Sequence, residues 1–167
     1  MRTTAFLCLT ALLAAAPTLQ ADERAPSADQ VLSEHHQQIE QQLADIDYKR
    51  ERVVEANMKL SDSEAGAFWP IYNTYRSESD KLSRESLKIL LDYAHAFNQG
   101  TVANDDARAL ITRVESLQRQ RLTLRDQYIE RVAQEVSPIR AMRFLQIETQ
   151  LDAMSVLDVG RQVPLAQ

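Results

Sequence analysis

A long helical repeat occupies the middle of the 167-residue chain. Counting from Phe68, apolar or small side chains recur at alternating steps of four and three residues as far as Ala96. A mean spacing of about 3.5 residues puts such side chains on one side of an α-helix, as in the seam of a coiled coil. The repeat consists of Phe68, Tyr72, Tyr75, Ser79, Leu82, Ser86, Ile89, Tyr93 and Ala96. The pattern therefore predicts one long helix whose apolar edge needs a partner.

Both ends of this segment carry residues that are typical of helix boundaries. Ser61, followed three residues later by Glu64, forms the sequence pattern of a capping box. Gly100 is placed to end the helix in the left-handed conformation. Because Pro70 has no amide hydrogen for the carbonyl of Gly66, we expect a bend between these residues, with a short hooked turn before the long helix.

A second apolar stripe follows after a short connection. Asn104 is predicted to cap the start of this helix, with the acidic residues Asp105 and Asp106 in its first turn. The stripe consists of Ala107, Leu110, Val114, Leu117, Arg121, Leu124, Tyr128 and Val132. Since residues 99–103 form so short a connection, the two helices must lie antiparallel.

One further helix is predicted on each side of this hairpin. The first covers residues 29–57, and His36 and Arg50 interrupt its apolar stripe of Leu32, Ile39, Leu43, Ile46 and Val53. Ser137 and Pro138 form an N-cap and a first helical residue for the last helix. That helix ends at Gly160 and carries Phe144, Ile147, Leu151 and Met154 on its apolar face.

Together these segments predict an all-α fold of four helices over residues 29–160. The architecture is an elongated antiparallel hairpin with flanking N- and C-terminal helices. Residues 22–28 are expected to be a flexible lead-in and residues 161–167 a C-terminal tail. A lone hairpin cannot cover both edges of its apolar stripes, so either the flanking helices or a second chain must cover them. We expect the protein to be a homodimer.

The first 21 residues have the pattern of a cleavable signal peptide. Arg2 precedes an apolar run over residues 5–16, Pro17 breaks the run, and Ala21 supplies a small residue for cleavage. The run is shorter than the roughly 20 residues that a transmembrane helix needs. We therefore expect export to the bacterial periplasm and no integral membrane segment after cleavage, an uncleaved anchor being the alternative. The sole cysteine, Cys8, would leave with the leader, so the mature chain would have no disulfide.

Charge and composition argue against several classes of protein. The formal net charge of -5 argues against nucleic-acid binding, which needs a basic surface. With 3 glycines and 5 prolines, a turn-rich β-sandwich is improbable. The sequence contains no Gly-rich phosphate loop and no Gly-x-Ser-x-Gly nucleophile motif. We therefore expect a protein that is not an enzyme and needs no cofactor; a secreted all-helical enzyme that uses Arg and Glu on facing helices remains an alternative.

Histidines offer little support for a metal site. The chain has only His35, His36 and His95, and neither of the first two has a second histidine one helical turn away. Glu40 lies four residues beyond His36, so a His-Glu pair is possible. We predict no metal, with His35 and His36 as weak candidates for a metal-responsive sensor or buffer.

Arginines and one tryptophan are the candidate partner-binding residues. A face lined by guanidinium groups can bind acidic partners through paired hydrogen bonds. The alternative is a solvated face whose arginines pair with the chain's own carboxylates. Trp69 cannot share the helix face of Phe68, so it either closes the end of the bundle or is an exposed anchor for another protein. The candidates are Trp69, Arg113, Arg121, Arg125 and Arg140.

Two short motifs at predicted helix starts resemble those of a known family. They are the segments Leu60-Ser61-Asp62-Ser63-Glu64 and Val136-Ser137-Pro138-Ile139-Arg140, which bracket the long hairpin. In this arrangement the chain resembles the Spy/CpxP superfamily of periplasmic stress proteins, named for its Leu-Thr-x-x-Gln (LTXXQ) repeats. The resemblance implies a cradle-shaped antiparallel dimer that holds unfolded proteins without ATP, or an accessory to envelope-stress or metal-stress sensing. The first motif has Ser for Thr and Glu for Gln, and the second begins with Val and ends with Arg.

Overall fold

The computed structural model describes residues 25–100, 102–161 and 163–166. These residues form helices and no β-strand, so the all-α prediction is confirmed. The helices are α1 (Ala28–Glu34), α2 (His36–Met58), α3 (Asp62–Asn98), α4 (Asn104–Glu135) and α5 (Pro138–Gly160). The predicted signal peptide, residues 1–21, lies outside the described residues.

The predicted number of four helices is wrong, because the first predicted helix is divided at His35. The backbone of His35 leaves the helical conformation, at φ −108° and ψ 16°. The short α1 begins at a capping box of Ser27 and Gln30, one residue before the predicted start. It packs on α3, where Lys88 donates a hydrogen bond to Asp29 at 2.8 Å. No Gly or Pro marks the division, so the local sequence carries no signal for it.

The ends of α3 agree with the sequence analysis. The backbone N–H of Glu64 donates to the Ser61 hydroxyl at 3.4 Å, and the Ser61 N–H donates to the Glu64 carboxylate at 2.8 Å. Gly100, just beyond the helix, has a φ of +104°. With 37 residues, α3 is about 55 Å long at a rise of about 1.5 Å per residue.

Pro70 does not divide α3. The predicted hooked turn is not a separate element, because α3 continues from Asp62 through Pro70 to Asn98. Phe68 and Ile71, on either side of the proline, are buried. Their packing offsets the hydrogen bond that the proline removes.

The capping box at the start of α3 should contribute measurably to stability. Replacing Ser61 with alanine removes the side-chain acceptor, and we expect the free energy of unfolding to fall by about 1 kcal/mol. Ser61→Thr keeps the hydroxyl and is the matched control. Urea unfolding followed by circular dichroism measures both variants. Equal stability of the alanine and threonine variants would mean that the cap contributes nothing.

The helices α3 and α4 pack against each other in antiparallel orientation. Near the start of α3, the ring centroids of Tyr75 and Tyr128 are 5.5 Å apart. Near its end, Arg113 of α4 donates to Asp92 at 2.6 Å. The predicted cap by Asn104 is wrong, because this residue is the first of the helix.

The apolar core lies between α2, α3, α4 and α5. Phe144 of α5 is fully buried, and its ring centroid is 5.5 Å from those of Phe68 and Tyr75. The core comprises Val54, Met58, Phe68, Ile71, Tyr72, Tyr75, Tyr128, Val132, Ala141, Phe144 and Ile147. Of the predicted seam, Phe68, Tyr72 and Tyr75 at its start and Ile89 further along are buried, and the other positions are partly buried.

Five predicted stripe positions are exposed rather than buried, and on α2 they are Ile46, at 48%, and Val53, at 38%. Val114 is 39% exposed and Met154 is 62% exposed, and Arg121 also lies at the surface. None of the five belongs to the core cluster, and Val53 is exposed even though its neighbour Val54 is fully buried. The predicted stripes on α4 and α5 are thus only partly covered by the described chain.

Candidate functional site

Two of the four candidate arginines are neutralised by the chain itself. Arg113 of α4 donates to Asp92 at 2.6 Å and to Glu85 at 2.9 Å, both on α3. Arg140 of α5 donates to both oxygens of Glu64, at 2.9 and 3.0 Å, and to the carbonyl of Met58 at 3.2 Å. These guanidinium groups tie helices together, so they fit the alternative of self-paired arginines.

The pair of Arg140 and Glu64 links the first turn of α5 to the first turn of α3. The hydrogen bond from Arg140, supported by the backbone N–H of Ser61, lowers the pKa of Glu64 from 4.5 to about 2. The pair therefore joins two of the predicted helix starts through one carboxylate.

This pKa shift predicts a defined acid sensitivity. Because the folded-state pKa of Glu64 is depressed, its contribution to stability is present above pH 4.5 and is lost as the pH falls toward 2. Replacing Arg140 with methionine should weaken the dependence of the melting temperature on pH within that window. Arg119→Met, which changes an exposed arginine 3.8 Å from Glu115, is the control and should leave the profile unchanged. Identical pH profiles for the wild-type protein and Arg140→Met would contradict the assignment.

Arg121 and Arg125, one turn apart on α4, are the candidate arginines without a close carboxylate among the described residues. The nearest carboxylate oxygen to Arg125 belongs to Asp126, at 4.0 Å, and the Arg125 Nε is buried without a hydrogen-bond partner. Arg121 makes one long contact, 3.5 Å to the carbonyl of Leu82. Burial lowers the pKa of Arg121; nearby Asp152 raises it and Arg50 lowers it.

Trp69 belongs to the edge of the core. It is partly buried and packs edge-to-face on Phe68, at 5.3 Å between ring centroids, and on Tyr72, at 5.5 Å. Of the two roles considered for this residue, the packing agrees with closing the end of the bundle.

A buried polar cluster, which the sequence analysis missed, lies beside the aromatic core. Glu148 of α5 is fully buried, and its Oε2 accepts hydrogen bonds from Arg50 at 2.7 Å and from the Tyr75 hydroxyl at 3.0 Å. Arg50 also donates to Asp152 at 2.9 Å. Burial lowers the pKa of Arg50, but Glu148 and Asp152 outweigh it and raise the pKa overall. The only sequence signals are a carboxylate on the apolar face of α5 and an arginine that interrupts the stripe of α2.

Several atoms in and around this cluster have no hydrogen-bond partner. Glu148 uses one carboxylate oxygen only, and its Oε1 is buried and unpaired. Burial, followed by the charge of Glu148, raises the pKa of Tyr72. Within the described chain, the buried unpartnered atoms are the Arg50 Nε, the Tyr72 hydroxyl oxygen, the Arg76 Nε, the Arg125 Nε and the Glu148 Oε1.

The histidine candidates do not converge with other ligands. His35 lies at the junction of α1 and α2, and His36 is exposed in the first turn of α2. Glu40, the possible partner of His36, accepts hydrogen bonds from Arg84. No group of three or more His, Cys, Asp or Glu side chains suited to a metal ion occurs in the described ranges.

The second half of α5 forms an exposed apolar segment, defined here as residues 152–159. Every residue from Asp152 to Leu157 is exposed. Four apolar side chains in the segment are strongly exposed: Met154 at 62%, Val156 at 68%, Leu157 at 60% and Val159 at 47%. On α4, Ile111 and Leu122 are also at least half exposed. The neighbouring helices α4 and α5 therefore both carry exposed apolar side chains.

Comparisons of the chain with protein-family models, with curated proteins and with solved structures found no match. In the part of the chain that the structure describes, no helix combines the length and apolar character needed to cross a bilayer. The candidate site therefore consists of the exposed apolar segment on α5 and, on the neighbouring α4, the two arginines that lack a close carboxylate among the described residues.

Proposed function

We propose that this protein is a non-enzymatic, chaperone-like binding protein of the bacterial periplasm that holds unfolded or envelope proteins on an apolar and arginine-lined helical surface. The observation that carries the proposal is the exposed apolar segment of α5. Single exposed apolar residues are common on folded proteins, but a group of four within six residues favours an interaction surface.

The arginines give this surface a second mode of contact. Arg121 and Arg125 lie on α4, which packs on the helix that carries the exposed apolar segment. Apolar contact is not directional, whereas guanidinium groups can bind carboxylates or backbone carbonyls of many sequences. A surface of this kind suits clients that share exposed apolar residues but no common sequence.

The family resemblance supports the same function, and it adds the homodimer. A second copy would cover part of the apolar surface and could form a concave face for clients. Export through the predicted signal peptide would place this surface in the periplasm, a compartment without ATP, where holding a client requires only binding.

The test is suppression of client aggregation by the chain from residue 22 onward. We expect near-stoichiometric wild-type protein to suppress aggregation of a reduced, unfolded client, and Met154→Ser/Leu157→Ser to weaken suppression several-fold, because the apolar contact is removed. Ile139→Ser is the matched control, since Ile139 is 71% exposed on the same helix but at its opposite end. Light scattering measures aggregation, and circular dichroism verifies that all variants keep their helix content. Full aggregation at several-fold excess of the wild-type protein would defeat the proposal.

The homodimer is tested separately by solution mass and small-angle scattering at several protein concentrations. An elongated dimer supports it, and a monomer at all concentrations would remove the dimer from the proposal. A monomeric result would not contradict the proposal that the protein holds clients.

A further inference from the structure

We propose that the second half of α5, from Glu148 to Gly160, opens away from the other helices as a unit, and that the buried polar cluster is where the opening begins. This concerns the motion of the chain alone and does not require the proposed function. Three features support it. The first half of α5 is buried and the second half is not, unpaired polar atoms lie at the boundary between the two halves, and the two ends of α5 are held by different contacts.

Burial divides α5 into two parts. Ala141, Phe144 and Ile147 are buried in the core of the bundle, and Leu151 packs against it from a partly buried position. Beyond that residue, none of residues 152–161 is buried. Segments with few buried apolar contacts open at lower free energy than the core to which they are attached. The second half of α5 therefore lacks the apolar contacts that hold the first half.

The buried polar cluster lies at the boundary between the two parts. Glu148 is the last fully buried residue of α5, and its Oε1 has no partner in the closed arrangement. Across from it, the Arg50 Nε and the Tyr72 hydroxyl are also buried and unpaired. A buried polar atom without a partner costs free energy, and hydration on opening would remove this cost.

The contacts of the buried polar cluster that oppose opening are hydrogen bonds, and water can replace them. They are the hydrogen bonds from Arg50 to Glu148 and Asp152, at 2.7 and 2.9 Å, and from Tyr75 to Glu148, at 3.0 Å. Desolvation of buried charges consumes much of what such pairs contribute. Their presence therefore gives the junction a defined geometry with little net resistance to opening.

The two ends of α5 are held differently. At the start, Arg140 binds Glu64, and Arg143 donates to the carbonyl of Asn57 at 2.5 Å. Beyond the end, the described hydrogen bond to another helix is from the Tyr93 hydroxyl to the carbonyl of Pro164, at 2.8 Å. The start of α5 is thus the fixed point, and the far end is the part that can move.

Opening would uncover the rings of Tyr72 and Tyr75, which lie beside Glu148. If the proposed function holds, these rings would add an aromatic surface to the one that clients meet. The opening itself is measured without any client, so its failure and the failure of client binding are separate results.

Hydrogen exchange followed by mass spectrometry tests the opening on the full mature chain. We expect amides of residues 148–160 to be at least 100-fold less protected than those of residues 68–78 in α3. The variant Arg50→Met/Tyr75→Phe/Glu148→Leu replaces the cluster by apolar groups of similar size and should raise protection of residues 148–160 at least tenfold. Arg52→Met/Glu55→Leu, an exposed ion pair on the same α2, is the matched control and should change nothing there.

Two results would overturn the proposal. One is equal protection of residues 148–160 and 68–78 in the wild-type chain. The other is unchanged protection of residues 148–160 when the cluster is replaced. Should the triple variant not fold, Tyr93→Phe is the second probe: it removes the hydrogen bond to Pro164 and should speed exchange of residues 152–160 several-fold without affecting residues 126–134. Unchanged exchange in Tyr93→Phe would equally contradict the opening.

Discussion

Replacing Phe144 with alanine should lower the free energy of unfolding by about 3–5 kcal/mol, because a fully buried aromatic ring is lost and a cavity remains. Phe144 is 0% exposed, and its ring lies within 5.5–6.0 Å, centroid to centroid, of Phe68, Tyr72 and Tyr75. Through Phe144, α5 packs against the aromatic side of α3.

Urea unfolding followed by circular dichroism measures this effect. Phe144→Leu retains most of the apolar volume and should cost clearly less than the alanine variant. Phe97→Ala is a matched control at the other end of α3, where the same residue type is only half-buried. Comparable losses for Phe144→Ala and Phe97→Ala would mean that the core is not concentrated around Phe144.

Replacing Arg50 alone with methionine should cost a similar amount, about 3–5 kcal/mol, for a different reason. Glu148 is 0% exposed, and removal of Arg50 leaves its charge without a cation. Only the hydrogen bond from the Tyr75 hydroxyl would remain to the carboxylate. Removal of one partner is far more costly than replacement of the whole cluster, since only the single change leaves a buried charge behind.

The control for this prediction is Arg52→Met on the same helix. Arg52 pairs with Glu55, and both side chains are more than half exposed, so its loss should cost less than about 1 kcal/mol. Unfolding of both variants in urea at pH 7 gives the comparison. If Arg50→Met is no more destabilising than Arg52→Met, burial of the cluster of Arg50, Tyr75 and Glu148 does not increase the contribution of its ion pair to the free energy of unfolding.

The elements predicted most accurately from the sequence are those with local causes. Ser61 and Glu64 lie within one helical turn, so their capping box could be predicted from the sequence, and the structure confirms it. The same holds for Ser137 with Pro138 at the start of α5, where the Ser137 hydroxyl accepts from the N–H of Arg140. The break at His35 could not be predicted, because no residue that typically ends a helix marks it; the α1 that it separates from α2 packs on α3.

The candidate site was only partly predictable. The sequence analysis named four arginines without separating them, since each lies on a helix rich in charged residues. Which of them bind carboxylates depends on distant residues: Glu64 and Arg140 are 76 positions apart. Glu148 was not named, because one carboxylate on an apolar stripe has no distinctive spacing, and its partner Arg50 lies 98 positions away.

The sequence by itself determined that this chain forms long helices, where most of them begin and end, and that the two longest follow each other after a short connection. Hydrophobic periodicity and helix caps depend on residues within one or two helical turns, so they can be predicted from the amino-acid sequence. Only the tertiary structure decided which apolar stripe positions are covered, which arginines are neutralised and which carboxylate is buried. Those outcomes depend on free energies of burial and pairing between helices, and these are defined only when distant parts of the chain are brought together.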